Sequence, residues 1–134
     1  MKKEVMTMKI INTSQAPQAI GPYSQAIIHQ GMLYISGQGP LFATTKEIPE
    51  GITAQAQLAC QNVEAILTAG KSDFQQVIKT TCFLSDMHDF NQFNQVYGKY
   101  FISKPARSCV AVKDLPAGIL CEIEVIAISN DTKS

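Results

Sequence analysis

The chain has 134 residues, 46% of them hydrophobic and 16% charged, which suits one globular domain with a substantial core. Eleven basic residues balance eleven acidic ones and no basic run exceeds Lys2-Lys3, which disfavours an electrostatic grip on nucleic acid. The four cysteines (Cys60, Cys82, Cys109, Cys121) form no C-x-x-C and have only His29 and His88 as possible co-ligands, so a structural zinc site is not expected.

The opening MKKEVMTMKI lacks the apolar core of a signal peptide, and no apolar run approaches transmembrane length. The expectation is a cytoplasmic protein with reduced thiols. Residues 1–7 read as a loose extension, 8–130 as a single domain and 131–134 as a tail. Met8 to Asn12 predicts a short first strand. Pro17 and Gly21-Pro22 punctuate a loop, and Gly31 then separates two strand-like runs, Gln25–Gln30 and Met32–Ser36, as in a hairpin. Glycines and prolines fill 37–51 and mark a loop.

Residues 53–69 carry Ala59, Val63, Ile66 and Leu67 at helical spacing, with Thr53 as the expected N-cap and Gly70 at C′. Val77–Leu84, rich in β-branched and aromatic residues, predicts a central strand. Ser85 or Asp86 can cap a second helix with Phe90, Phe93, Tyr97 and Phe101 on one stripe. Two strands follow, one after Pro105 and one over Ile119–Ile128. The order β-β-β-α-β-α-β-β describes an α+β domain, with two helices on one face of a six-stranded mixed sheet. The last strand is apolar on both parities, so the face that two helices cannot cover must be buried against something, and self-association is the economical way.

Chemistry concentrates near the C-terminus. Arg107 and Cys109 are two apart in a strand and point the same way. A guanidinium there can hold a carboxylate through paired hydrogen bonds, or can pair with Glu122 or Glu124 at an interface. Glu122 and Glu124 share one strand face; one can be a buried acid–base group, or both can serve salt bridges. Cys109 could be a nucleophile activated by Arg107, but no histidine is placed to serve it, and a pocket-wall role is the expectation. Cys60, Cys82 and Cys121 read as core. Asp86-Met-His88-Asp89 has metal-ligand types, yet acidic residues at a helix start more simply satisfy free N–H groups. Ser36-Gly-Gln-Gly-Pro40 lacks the ending of a phosphate loop and reads as a backbone turn against a ligand.

Several stretches together resemble one family. Ile20-Gly-Pro-Tyr-Ser-Gln-Ala26, Ser36-Gly-Gln38 with Pro40, Val77-Ile-Lys-Thr-Thr81, Asp86-Met-His-Asp-Phe90, Asn94-Gln-Val-Tyr97, Pro105–Val110 and Glu122–Ala127 occur in the order found in the Rid (YjgF) family. The resemblance is nearest to its reactive intermediate deaminase A branch and covers nearly the whole chain after residue 8. It implies a chorismate-mutase-like fold, a homotrimer with clefts between subunits, and hydrolysis of 2-imino acids, formed from enamines such as 2-aminoacrylate, to 2-keto acids and ammonia. It implies no metal and no organic cofactor. Carried over, Arg107 would hold the substrate carboxylate and Glu122 would orient or deprotonate the attacking water. Cys109, Tyr23, Ser36 and Asn94 would line the site. The chain departs from the family in its short Ile102-Ser103-Lys104 tether and in Gly39, where a larger side chain is usual; both bear on substrate preference. Two other functions remain open: a trimer that binds small carboxylates without turnover, and ribonuclease or translation inhibition, which the neutral charge disfavours.

Overall fold

The computed structural model describes residues 7–131, so the expected extension and tail lie, except for Thr7 and Asp131, outside the described residues. Strands β1 (Lys9–Ile11), β2 (Ala26–His29) and β3 (Met32–Gln38) precede helix α1 (Ile52–Ala69). Strand β4 (Val77–Leu84), helix α2 (Phe90–Tyr100), β5 (Ala106–Ala111) and β6 (Cys121–Ile128) complete the expected order. They form one six-stranded sheet in the order β1-β2-β3-β6-β4-β5, in which only β4 and β5 run parallel. Among the described residues no helix is long and apolar enough to cross a membrane.

Local sequence explains most of these elements. The β2–β3 hairpin turns through Gln30 and Gly31, both at positive φ (52° and 77°), as a two-residue turn between twisted strands requires. Helix α1 buries Ala56, Ala59, Cys60, Val63, Ile66 and Leu67 against the sheet, and complete burial of a side chain such as Ile66 stabilises by ~1.5–3 kcal/mol. Helix α2 sets Phe93, Val96 and Tyr97 against the same face, with Phe101 just beyond its end.

Both expected termini of α1 are corrected. Gly51, not Thr53, stands at the N-cap, and no side chain caps it. At the other end Gly70 has φ −88°, and the left-handed residue is Lys71 at φ 57°. Ser72 N–H donates to Leu67 O (2.8 Å) and Lys71 N–H to Thr68 O (3.1 Å), a Schellman closure with Lys71 at C′. Gly70 is needed for room instead: a Cβ there would lie 2.6 Å from Leu33 Cδ2.

The last strand begins at Cys121 rather than Ile119, because a 3-10 turn over Pro116–Gly118 precedes it. Strand β3 runs on to Gln38, two residues beyond expectation, with a register shift against β6 between Ile35 and Gln38. Along β6, Cys121, Ile123, Val125 and Ala127 are buried under the helices, while Glu122, Glu124, Ile126 and Ile128 point the other way. That second face carries no helix, yet it presents Ile10, Tyr34, Val110 and Ile128, each more than two-fifths exposed.

Candidate active site

Arg107 lies on β5, at the edge of the sheet, in register with Thr80. Their partners on β4, Thr80 and Cys82, are buried, so Arg107 and Cys109 share a direction, as their spacing predicts, and face the helix layer. Arg107 Nη1 donates to Asn94 Oδ1 at 2.8 Å, and the guanidinium carbon sits 4.7 Å from the Tyr97 ring centroid and 5.7 Å from that of Phe90. Tyr97 is itself fixed. Its ring stacks on Phe101 at 4.3 Å, and its hydroxyl lies 2.7 Å from Thr80 Oγ1 in the interior. Burial pushes the Tyr97 hydroxyl up to about 12, so it stays neutral under the cation. Three residues of α2 thus orient one guanidinium. Among the described residues no carboxylate lies within ion-pair distance of it.

Cys109 is half-buried opposite Cys82. Burial raises its thiol, outweighing the lowering by Arg107, so the thiolate needed for attack is disfavoured and the thiol stands as a wall. Cys60, Cys82 and Cys121 are buried core thiols, as expected. The Asp86 carboxylate accepts from His88 N–H at 2.8 Å and lies 3.0 Å from His88 Nδ1, so it caps the 3-10 turn Met87–Asp89; α2 itself has Asp89, not Ser85 or Asp86, at its N-cap, with no side-chain bond. Among the described residues no cluster of His, Cys, Asp and Glu is arranged to hold a metal ion.

Glu122 occupies the other face. It is in register with Phe83 on β4, one pleat out of phase with the buried Thr80, Cys82 and Leu84. Arg107 and Glu122 therefore stand on opposite sides of the sheet within one chain. The Glu122 carboxyl packs over Gly37 in the shifted segment of β3, where a Cβ would lie 2.7 Å from Glu122 Cδ. Irregularities of this kind often re-aim side chains beside functional sites. Burial, and then the nearby Glu124, raise the Glu122 pKa above the usual carboxylate range.

A cleft of about 210 Å³ opens beside Glu122, with Tyr23, Gly37 and Gly39 also in its lining. Ser36 lies on the same side of the sheet, but its hydroxyl donates to Ser24 O at 2.6 Å and so braces the neighbouring loop. The buried Gln25 braces that loop too, accepting from Thr13 N–H at 2.7 Å and donating to Pro17 O at 2.9 Å. The predicted residues thus divide into two groups, Arg107, Asn94 and Cys109 on the helix side and Glu122, Tyr23 and Ser36 on the open side. Sequence reasoning assigned Tyr97 and Phe90 to the core and missed their place under Arg107. The signal was present in the spacing of 90, 94 and 97, which puts all three on one face of a helix.

The family model described as Endoribonuclease L-PSP matches residues 13–129. The chain belongs to this family, the Rid (YjgF) family. Relatives of this Rid protein include a mouse 2-iminobutanoate/2-iminopropanoate deaminase, 45% identical over 90% of each chain. A candidate regulator of Lactococcus lactis, AldR, is 52% identical over 90% of this chain and 97% of its own. Among solved structures, Escherichia coli TdcF with bound serine matches with a TM-score of 0.86 at 43% identity, covering 90% of this chain and 98% of that one. The six-stranded sheet with two helices is the fold of these Rid family structures.

Proposed function

We propose that this Rid protein hydrolyses reactive 2-imino acids, and the enamines that tautomerise to them, to 2-keto acids and ammonia. The observation that carries this is the state of Arg107: a cation aligned by Asn94, Tyr97 and Phe90, with no carboxylate partner among the described residues. Such a group suits a planar carboxylate of a small ligand, held through two parallel hydrogen bonds. The mouse deaminase and the serine-bound TdcF structure support a 2-imino or 2-amino acid as the class of ligand.

Glu122 supplies the proton transfers. Water adds to the carbon of the protonated imine as the C=N π pair moves to nitrogen, and Glu122 accepts the proton released by the water. Glu122 returns that proton to the carbinolamine nitrogen; the C–N bond then breaks as the C–O bond becomes C=O, ammonia leaves, and the hydroxyl proton passes to the freed carboxylate. A raised carboxyl pKa suits a group that must both accept and return a proton near neutrality. No covalent intermediate is needed, which agrees with a thiol at Cys109 that resists ionisation. The reaction uses chemistry that the imine already possesses, and the protein's part is to hold the acid and place one water.

Because the two groups face opposite sides of one sheet, we place the complete site between subunits, where Arg107 of one chain meets Glu122 of another. A homotrimer would also bury the apolar face that carries Ile10, Tyr34, Val110 and Ile128.

The test is a coupled assay in which 2-aminoacrylate is generated enzymatically and keto-acid formation is followed. Wild-type protein is expected to accelerate it, and Arg107→Ala and Glu122→Gln to abolish the acceleration. Equal rates with and without wild-type protein would reject the proposal. The AldR relative favours a second reading, a carboxylate-binding regulator without turnover. Tight keto-acid binding by calorimetry, together with no deamination, would select it.

A further inference from the structure

We infer that the cleft beside Glu122 is a subsite for the substrate's side chain, selective for imino acids with an extended apolar group, and that Gly39 sets its width. This rests on Glu122 as the group that handles water. The imine carbon bears three substituents: the nitrogen, the carboxylate and the side chain. Arg107 takes the carboxylate, and the nitrogen must stay within reach of the proton that Glu122 returns. The side chain is then left to the space that continues from Glu122.

That space is apolar along most of its length. Beyond the carboxylate its walls are the buried Ile119, the partly exposed Leu41 and the exposed Pro116 and Ala117, with Ile20 and the single cationic side chain Lys46 also at exposed positions. A cleft of about 210 Å³ has far more room than the methyl of 2-iminopropanoate can fill. A leucine-like side chain would cover the apolar wall, and each added methylene in such a pocket is worth ~10-fold or more in specificity.

Gly39 stands between two of these walls. A Cβ at this position would lie 2.9 Å from Ile119 Cδ1 and 3.2 Å from Leu41 Cδ1. Its φ is outside the left-handed region, so the glycine serves space and not backbone conformation. The segment cannot easily back away from an added methyl. The buried Asn62 donates from Nδ2 to both Gly39 O and Leu41 O, each at 2.9 Å, and pins it to α1. The side chains must yield instead. Ile119 is buried but lies outside the main cluster between sheet and helices, so its displaced methyl has the cleft to move into. An alanine at 39 therefore narrows the cleft.

The experiment compares kcat/KM for two imines made in situ by an amino-acid oxidase, one derived from alanine and one from leucine. Wild-type protein should favour the leucine-derived imine by ~10-fold or more. Gly39→Ala should lower that ratio by ~10-fold, and Gly39→Ala/Ile119→Val, which deletes the opposing Cδ1, should restore it. A ratio unmoved by Gly39→Ala, or not restored in the double variant, overturns the subsite. If Gly39→Ala does not fold, Leu41→Phe narrows the same cleft from its partly exposed wall and must lower the ratio. Calorimetry with pyruvate and 4-methyl-2-oxopentanoate gives a readout independent of turnover. Should wild type process neither imine, the deaminase function falls, while the order of keto-acid affinities still decides the subsite.

Discussion

Tyr97 offers a way to separate the two jobs of one side chain, as platform for Arg107 and as polar anchor of the interior. Tyr97→Phe keeps the ring beneath the guanidinium, whose carbon lies 4.7 Å from its centroid, and removes only the hydroxyl. Thr80, 1% exposed, then loses its 2.7 Å partner, which should cost ~1–3 kcal/mol of stability. Carboxylate affinity should hardly change. Tyr97→Leu fills much of the volume but removes the π face. A cation–π contact contributes ~0.5–2 kcal/mol, so affinity for 2-oxobutanoate should weaken by ~2- to 30-fold. Loss of the stack on Phe101 and the contact with Phe93 adds a stability penalty of ~1–3 kcal/mol. Titration calorimetry reads the affinity and urea denaturation the stability. If Phe weakens binding as much as Leu, or if Leu binds as wild type does, Tyr97 does not hold the cation.

Three further perturbations test other parts of the structure. Gly37→Ala should push the Glu122 carboxyl from its seat and lower kcat by ~10²-fold, with a smaller effect on keto-acid affinity; unchanged kcat would detach Glu122 from the chemistry. Because burial raises the Glu122 pKa above 4.5, the folded state keeps a proton that the unfolded state has already lost, and stability falls as pH rises through the raised value. Glu122→Gln should therefore be more stable than wild type at pH 7, with the advantage disappearing below about pH 4.5, as melting temperatures across pH will show. Gly70→Ala should cost ~1–3 kcal/mol through overpacking against Leu33, while Gly98→Ala, on an exposed turn of α2 with no neighbour within 4 Å, should gain ~0.5–1 kcal/mol. Equal effects at the two glycines in denaturant titrations would contradict both accounts.

The order of elements was legible because each carries its own period: the alternation on β2 and β3, the apolar stripe of α2, and the doubly apolar β6. The shared direction of Arg107 and Cys109 was legible for the same reason, since it concerns neighbours on one strand. What could not be read was which side of the sheet that direction meant relative to Glu122. Parity is a property within a strand. The phase between β5, β4 and β6 is set by pairing across long connections, and Arg107 meets Thr80 while Glu122 meets Phe83. The end of α1 was misread because Gly70 looks like a left-handed cap, whereas contact with Leu33 demanded a missing side chain and left the positive φ to Lys71. Gly37 was hidden in a glycine-rich stretch for a similar reason: the atom that requires it belongs to Glu122, far away in sequence.

The sheet acts as a partition between the cation and the acid, and this has a genetic consequence. A chain that lacks Arg107 still carries an intact acid face, and a chain that lacks Glu122 still carries an intact cation edge. In the trimer proposed above, neither defect would be confined to its own polypeptide. Two inactive alleles expressed together would rebuild working sites at about a quarter of the clefts in randomly mixed trimers. Conversely, a single Arg107 variant mixed into wild type would spoil clefts bounded by healthy neighbours, and the unit of inheritance for activity would be the seam rather than the chain.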